Sequence, residues 1–259
     1  MAEGDVGWLG LLASLVLIAV TIGLSWWRGL GLERDVIVAT VRALVQLLIV
    51  GYVLTIVIDP DQPLALAFVW VGLMVPFAAW TVGQRAKEIP GAFGIALAAL
   101  TPSTVITLLI VFALGVFPLE ARTLVPVAGM MVGNAMKDTI VAGRRIIAEL
   151  SEKRAEVEAR LALGQTWKQA SRPHVRSAVR TALISQIETT KGVGLVFLPG
   201  AMTGLILAGI DPVDAVLVQA ALMFLILGAV AINVVVVGEA LTRRLFTSDH
   251  RLLPLARSA

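Results

Sequence analysis

The chain of 259 residues is 58% hydrophobic and only 15% charged, with a mean hydropathy of +0.90, which excludes an ordinary soluble globular domain and indicates an integral membrane protein. Its net charge of +3 suggests basic cytoplasmic loops rather than a nucleic-acid partner. Because the chain has no cysteine, disulfides, thiolate metal ligands and a cysteine nucleophile are excluded.

Apolar runs give the predicted elements in chain order. Each run is compared with the ~20 residues that a helix needs to cross the hydrocarbon core of a bilayer. Seven candidate membrane helices result, at about residues 8–27, 36–58, 64–82, 92–116, 123–143, 183–210 and 213–241. The sequence therefore predicts an all-α integral membrane protein with about seven transmembrane helices, in a single transmembrane domain over residues 1–259.

Basic residues gather at alternate ends of these helices. The predicted loops DPDQP, VFPLEAR and GIDPVD are short and mostly acidic, with Arg122 as their only basic residue. The opposite ends carry Arg28, Arg34, Arg85, Lys87, the basic residues between Arg144 and Arg180, and Arg243, Arg244, Arg251 and Arg257. By the positive-inside rule, the N-terminus is predicted outside and the C-terminus in the cytoplasm.

One long polar segment, residues 144–180, lies between the fifth and sixth predicted helices. Leu163, Trp167 and Ala170 recur there at helical spacing, which predicts a short amphipathic helix, turned at Gly164 and again near Pro173. A side chain at Gly164 is expected to clash or to force an unfavourable backbone conformation. Such a helix rests on the bilayer surface or docks into another protein, and periodicity does not choose between the two.

The same segment resembles a motif of ABC-transporter membrane subunits. Glu158-Ala159, followed by Leu163-Gly164, is similar to their E-A-A-x-x-L-G loop, although Arg160 replaces the second alanine. In that superfamily the loop is a coupling helix that inserts into the ATPase subunit. The coupling residues that this implies are Glu158, Ala159, Leu163 and Gly164, and Trp167 is expected to act as a buried anchor.

Four further motifs extend the resemblance. They are VQLLIVGYVL (residues 45–54) after Arg42, GMMVGNAM (129–136), ETTKGVGLVFLPGAMTG (188–204) and AGIDPVDA (208–215). Together they resemble the FetB family, which includes a bacterial iron-export permease and plant aluminium-tolerance relatives. The resemblance implies a multi-pass permease half in the inner (plasma) membrane that forms a homodimer, exports a metal ion such as iron and works with a separate ATP-binding subunit.

No phosphate-binding loop of the form G-x-x-x-x-G-K-[ST] occurs, since no glycine is followed directly by lysine. ATP and Mg²⁺ are therefore expected on the partner chain, with no cofactor and no enzymatic activity in this one. An intramembrane enzyme is not favoured, because the predicted helices offer no Ser–His pair and no H-E-x-x-H motif.

Polar residues inside the predicted membrane helices are costly and mark pathways or paired networks. The substrate-pathway candidates are Arg42, Gln46, Asn134, Asp138, Glu188 and Lys191, with Lys137 and Gln186 beside them. Glu188 and Lys191 are spaced to pair along one helix, and both are expected to couple with Asp138 or Arg42 across helices. Structural pairing and direct substrate contact both stay open.

The intramembrane charges do not choose a substrate. Three cations against two carboxylates leave a slight positive excess, which suits an anionic organic substrate, such as a sugar nucleotide or a lipid-linked compound, as well as a metal ion. An ion-driven secondary transporter also stays open, because membrane carboxylates can relay protons.

Small residues and one proline predict the mechanics of helices five and six. Gly129-x-x-x-Gly133 and Gly200-x-x-x-Gly204 are spacings that allow close helix crossing, so these two helices are expected to pack tightly. Pro199, followed by Gly200, is expected to break or kink the sixth helix. A discontinuous helix beside intramembrane charges is a common way to build a transport site.

Overall fold

A computed structural model describes residues 8–194 and 198–254. Within these residues the chain is helical, and Phe246 and Leu252 form an isolated antiparallel bridge. The helices are α1 Trp8–Arg28, α2 Glu33–Val57, α3 Leu64–Arg85, α4 Ala92–Ala113, α5 Ala121–Glu152, α6 Arg154–Ala162, α7 Trp167–Gly192, α8 Gly200–Leu207 and α9 Pro212–Leu245. The chain divides into two compact units, residues 1–62 and 63–259.

The first unit is a hairpin of α1 and α2. The chain reverses through Gly29 and Gly31, whose φ values of +64° and +68° favour glycine. Ser25 closes the turn: its hydroxyl donates to Glu33 Oε1 at 2.7 Å and accepts from the backbone N–H of Leu32 at 3.1 Å. Most side chains of both helices are exposed within this unit.

The second unit is built around α5, which packs against α3, α4, α7 and α9. Small residues bring these helices together. A Cβ at Gly143 would collide with Ile89, and one at Gly238 would lie 3.1 Å from Val179 Cγ2. A side chain at either position would push its neighbour away, so small residues favour the close packing here.

Among the residues that the structure describes, five helices are long and apolar enough to cross a membrane. They are Gly10–Arg28, Glu33–Val57, Leu64–Arg85, Ala92–Ala113 and Pro212–Leu245. These agree with the first four and the last of the predicted membrane helices. Among the described residues, α5 and α7 do not meet the same criterion, because α5 carries Lys137 and Asp138 in its middle and α7 is polar over most of its length. The count of seven stays a prediction.

The polar segment is almost entirely helical. It is divided among three helices, whereas one short amphipathic helix was expected. α5 continues to Glu152, α6 follows, and α7 begins at Trp167, where Thr166 and Gln169 form a capping box. Leu163 and Trp167 therefore lie on either side of a turn. The predicted turn near Pro173 is wrong, because buried residues on both sides of this proline, Ala170, Ser171, His174 and Ala178, hold α7 continuous against the core.

The helical chain is interrupted just before Pro199 and Gly200, and the break of a sixth membrane helix stays a prediction. α7 ends at Gly192 and α8 begins at Gly200, directly after Pro199. Pro199 is the N-cap residue of α8 and has an extended backbone, with φ −63° and ψ 149°. Residues 195–197, inside the break, lie outside the described residues.

Candidate functional site

A cavity of about 440 Å³ lies between α5, α7, α8 and α9. Its polar wall is formed by Asn134, Lys137, Asp138, Ser185, Gln186, Thr189 and Gln219, and its remaining wall by residues that include Met130, Pro199, Gly200, Met223 and Ile226. Several predicted pathway residues and the predicted helix break thus share one site. We call it the four-helix cavity.

One carboxylate faces the four-helix cavity. Asp138 is half-buried, and no ion pair joins it to another described side chain. Asn134 donates its side-chain N–H to the carbonyl of Met130 at 2.8 Å, within its own helix. In the part of the chain that the structure describes, no three His, Cys, Asp or Glu residues come together as a metal site. The wall offers mainly neutral amides and hydroxyls.

Gln219 joins the broken helix to α9. The residue before α8, Pro199, provides no side-chain cap, and Gln219 Oε1 instead accepts from the backbone N–H of Met202 at 3.3 Å. Gln219 is buried, so without it this N–H would lose its partner away from water. The start of α8 is therefore positioned by a side chain that also lines the four-helix cavity.

A second buried amide connects α9 to α5. Asn233 donates to the carbonyl of Ala135 at 3.1 Å and to Thr139 Oγ1 at 2.7 Å. Its own side-chain oxygen is buried and has no hydrogen-bond partner among the described residues. Asn233 therefore ties α9 to α5 in the stretch of α5 that also carries Asn134 and Asp138.

The remaining pathway candidates lie elsewhere. Lys191 Nζ and Glu188 Oε1 are 2.8 Å apart on the exposed surface of α7, in the same-helix pairing that their spacing predicts. Neither lines the four-helix cavity, and neither pairs with Asp138 among the described residues. Arg42 and Gln46 lie on α2 in the first unit with exposed side chains. The expected coupling with Asp138 has no direct contact to support it among the described residues of the second unit, and coupling with Arg42 stays a prediction.

The exposed face of α6 carries the residues of the coupling pattern. Val157 is fully buried and Leu161 packs against the core, whereas Glu158 and Ala159 are exposed, and Leu163 is 83% exposed just beyond the helix. α6 is thus amphipathic, but it is not the predicted helix, because Leu163, Trp167 and Ala170 all lie beyond its end.

Gly164 ends α6 in a Schellman motif. Its N–H donates to the carbonyl of Leu161 at 2.9 Å, and the N–H of Gln165 donates to the carbonyl of Arg160 at 3.2 Å. Its φ of +86° is a conformation that favours glycine, but a Cβ there would meet nothing within 4 Å. Two reasons for glycine at position 164 were predicted. The unfavourable backbone conformation is confirmed, whereas the steric clash is not found.

Residues 246–253, which we call the C-terminal turn, cover Trp167. The indole stacks on Phe246 with ring centroids 6.0 Å apart, and the backbone N–H of Trp167 donates to His250 Nδ1 at 3.4 Å. Lys168 Nζ lies 5.3 Å from the centroid of the same ring. Trp167 therefore has an intramolecular partner, and its contact with an ATPase stays a prediction.

Arg154 connects the coupling face to the C-terminal turn. Its Nε donates to Glu158 Oε1 at 2.7 Å, and its two Nη atoms donate to the carbonyls of Leu252 and Leu253 at 3.1 and 3.2 Å. Glu158, the first residue of the coupling pattern, is thus held by an arginine that also holds the chain after α9.

Glu156 and Glu88 each pair with an arginine near the surface. A hydrogen bond from Arg160 holds the pKa of Glu156 below its usual value, and His174 Nε2 lies 3.7 Å from the same carboxylate. In the connection between α3 and α4, a hydrogen bond from Arg144 lowers the pKa of Glu88. These groups lie outside the predicted membrane helices.

Comparison with known proteins places the chain in a family. Residues 8–246 match the group described as "Uncharacterised protein family (UPF0014)". The chain belongs to the UPF0014 family. With its apolar helices, this makes it a multi-pass membrane protein. The expected FetB resemblance is confirmed, since FetB is among the similar proteins of this family.

Three relatives of this UPF0014 member are between 33% and 38% identical to it. UPF0014 membrane protein STAR2 of Oryza sativa subsp. japonica is 38% identical, over 88% of this chain and 80% of the rice protein. Probable iron export permease protein FetB of Escherichia coli is 36% identical, over 94% and 93%. Protein ALUMINUM SENSITIVE 3 of Arabidopsis thaliana is 33% identical, over 93% and 88%. No solved structure is significantly similar.

The glycine spacings of this UPF0014 member do not mark the tight helix crossing that they predict. A Cβ at Gly129 would lie 3.8 Å from Met74 Cε, on α3, and Cβ atoms at Gly133, Gly200 and Gly204 would meet nothing within 4 Å. The expectation of a close crossing of helices five and six at these residues is therefore wrong within one chain. The pattern identifies small residues but not the helix that faces them.

Sequence reasoning missed Gln219 and Asn233. Both are single amides in the long apolar run that becomes α9, where each needs a hydrogen-bond partner. That isolation was a usable signal, of the same kind that identified Gln46 and Asn134.

Proposed function

We propose that this chain is the membrane-spanning permease subunit of an ABC transporter, energised by a separate ATP-binding subunit. One observation carries the proposal: α7 begins beside the exposed coupling residues and ends at the helix break beside the four-helix cavity. At ~1.5 Å per residue, its 26 residues make a rod of about 39 Å. A push on Leu163 and Gly164 would reach Gln186 and the start of α8 through this rod.

The proposed topology has seven membrane crossings, with the N-terminus outside and the C-terminus in the cytoplasm. α5 would supply the fifth crossing, and the end of α7 together with α8 the broken sixth. Positive-inside charge asymmetry supports this orientation. Asp61→Cys and Gln165→Cys are expected to react with a membrane-impermeant thiol reagent from opposite sides of sealed vesicles. Labelling from the same side would contradict the topology.

The proposed assembly is a homodimer of this chain with ATP-binding subunits on the cytoplasmic side. The absence of a phosphate loop from the sequence supports a separate ATPase, where ATP and Mg²⁺ would bind. The exposed Glu158, Ala159, Leu163 and Gly164 would enter a groove of that subunit. The chain itself would catalyse no reaction.

Iron export is the proposed activity, because FetB is named as a probable iron export permease and is similar over nearly the whole chain. Asp138 and the neutral oxygen ligands of the four-helix cavity would contact the ion. An anionic organic substrate is the alternative, favoured by the single carboxylate in the wall and by the neighbouring Lys137. A metal carried as an anionic chelate would agree both with iron export and with the single carboxylate beside Lys137. Arg42, Gln46, Glu188 and Lys191 stay pathway predictions.

The test is transport into inside-out vesicles that contain the chain and its ATPase. Ferrous or ferric iron, an iron chelate and a sugar nucleotide would be offered with ATP or with a non-hydrolysable analogue. ATP-dependent iron uptake is expected, and it should fall in Asp138→Asn. Uptake driven by a proton gradient without ATP would instead support a secondary transporter and overturn the ABC proposal.

A further inference from the structure

A groove of about 510 Å³ runs between α7 and α9, separate from the four-helix cavity. Val175 and Val179 form its α7 wall, and Val235 and Gly238 form its α9 wall. The helices approach closely here, because a Cβ at Gly238 would lie 3.1 Å from Val179 Cγ2. The bottom of the groove is therefore apolar.

Basic side chains line the α7 edge of this groove. Lys168, Arg172 and Arg176 follow one another at intervals of four residues, so they share one face of α7. Lys168 is neutralised by Glu239 of α9, at 3.1 Å. Arg172 and Arg176 are exposed, and neither makes an ion pair or a side-chain hydrogen bond with another described residue. Two guanidinium groups are thus left beside an apolar groove.

The position of the groove along α9 decides what surrounds it. α9 starts at Pro212, and at ~1.5 Å per residue Val235 lies about 35 Å and Thr242 about 45 Å along it. The hydrocarbon core is about 30 Å thick, and the headgroup layers extend the bilayer to about 40–45 Å. With Pro212 at the outer surface of the bilayer and α9 crossing it, as its length and apolar composition allow, the groove lies at the depth of the inner headgroup layer.

We propose that the groove between α7 and α9 binds an anionic glycerophospholipid. The phosphate is held by Arg172 and Arg176, whose planar guanidinium groups suit bidentate contact with phosphate oxygens. One acyl chain lies against the valine walls. Basic pockets between membrane helices at this depth are typical sites for anionic headgroups. This site is independent of the transported substrate and needs only that α9 spans the bilayer.

The experiment compares lipid binding by purified, delipidated permease. Native mass spectrometry and thermal unfolding would be measured with dioleoylphosphatidylglycerol, with dioleoylphosphatidylcholine and with inorganic phosphate. Wild-type protein is expected to retain phosphatidylglycerol preferentially and to unfold at a higher temperature with it. Arg172→Gln and Arg176→Gln should each weaken this binding about fivefold, and the double variant more strongly. Arg172→Lys and Arg176→Lys should bind phosphatidylglycerol more tightly than the Gln variants do, because lysine keeps the positive charge but lacks the planar guanidinium group.

Arg145→Gln is the matched control. Arg145 is an exposed arginine of α5 outside the groove and makes no ion pair among the described residues, so its removal should leave the preference unchanged. Equal retention of phosphatidylglycerol by the double variant and wild type would overturn the proposal. So would an equal gain from phosphatidylcholine, or full stabilisation by inorganic phosphate alone. If the double variant still binds the lipid but no longer binds the ATPase, the groove is a protein-docking site and not a lipid site.

Discussion

Trp167 stacks on Phe246, with ring centroids 6.0 Å apart and planes inclined by 27°. Trp167 is the first residue of α7 and Phe246 follows the last residue of α9. The contact therefore joins the two helices on either side of the groove between α7 and α9. Phe246 is itself buried and pairs through its backbone with Leu252. The large apolar residue expected to anchor a partner thus first anchors its own C-terminal turn.

Trp167→Ala is therefore expected to destabilise the permease itself. Loss of the stacked pair should cost about 0.5–1.5 kcal/mol beyond the loss of buried area. Thermal unfolding in detergent would measure the change, and Phe246→Ala should have a similar effect. The double variant should be less destabilised than the sum of the two, because both remove the same contact. Strictly additive effects would contradict a direct energetic link between the rings.

Gly164 offers a sharper test of the coupling surface, because its requirement is one of backbone conformation. Gly164→Val places a β-branched residue at a φ of +86°, which should cost about 1–2 kcal/mol and displace the turn between α6 and α7. Gly164→Asn is the matched control, since asparagine tolerates this region better. Co-purification with the ATPase should fall in the valine variant and persist in the asparagine variant. Equal loss in both would mean that space in the docked complex, not the local backbone, sets the need for glycine.

How far the sequence predicts this molecule can be seen at α7. The apolar spacing predicted a polar segment and the Pro199-Gly200 pair a helix break; the structure has the polar segment, and the helical chain is interrupted just before Pro199. Pro173 was expected to turn the amphipathic helix of the polar segment, yet α7 runs through it. The local cost of proline is offset by buried contacts on both sides, including His174, and such tertiary contacts are invisible to a local pattern.

The four-helix cavity shows a different limit. Asn134 and Asp138 were identified because a charge or an amide stands out in an apolar run, and both line the cavity. Glu188 stood out equally, but it faces away on the surface of α7. The sequence gives the position of a residue along a helix. It says little about which way the side chain points, because in a membrane no side of the helix faces water and hydrophobicity does not distinguish the sides. Packing decides that direction.

The Glu88–Arg144 pair predicts a pH dependence of stability. The pKa of Glu88 is lowered in the folded protein, so its contribution is present above the unfolded value, near 4.5, and is lost as pH falls through the lower folded value. The difference in unfolding temperature between wild type and Glu88→Gln should therefore shrink as the pH is lowered from 6 toward 3. A difference that stays constant over this range would show that Glu88 acts through packing. The effect should be small, because the pair is largely exposed.

Gln219 gives the most direct test of the broken helix. Gln219→Leu keeps the side-chain volume but removes the oxygen that accepts from the N–H of Met202, and leaving a buried donor unpaired costs about 1–3 kcal/mol. Hydrogen exchange of the first-turn amides of α8 should become faster, and vesicle transport should fall. Gln219→Glu keeps the acceptor and places its carboxylate near a helix N-terminus, so protection of α8 should survive. If the leucine variant protects α8 as well as wild type does, Gln219 does not position this helix. If both variants expose α8 equally, the amide N–H groups of Gln219, rather than its oxygen, hold the break in place.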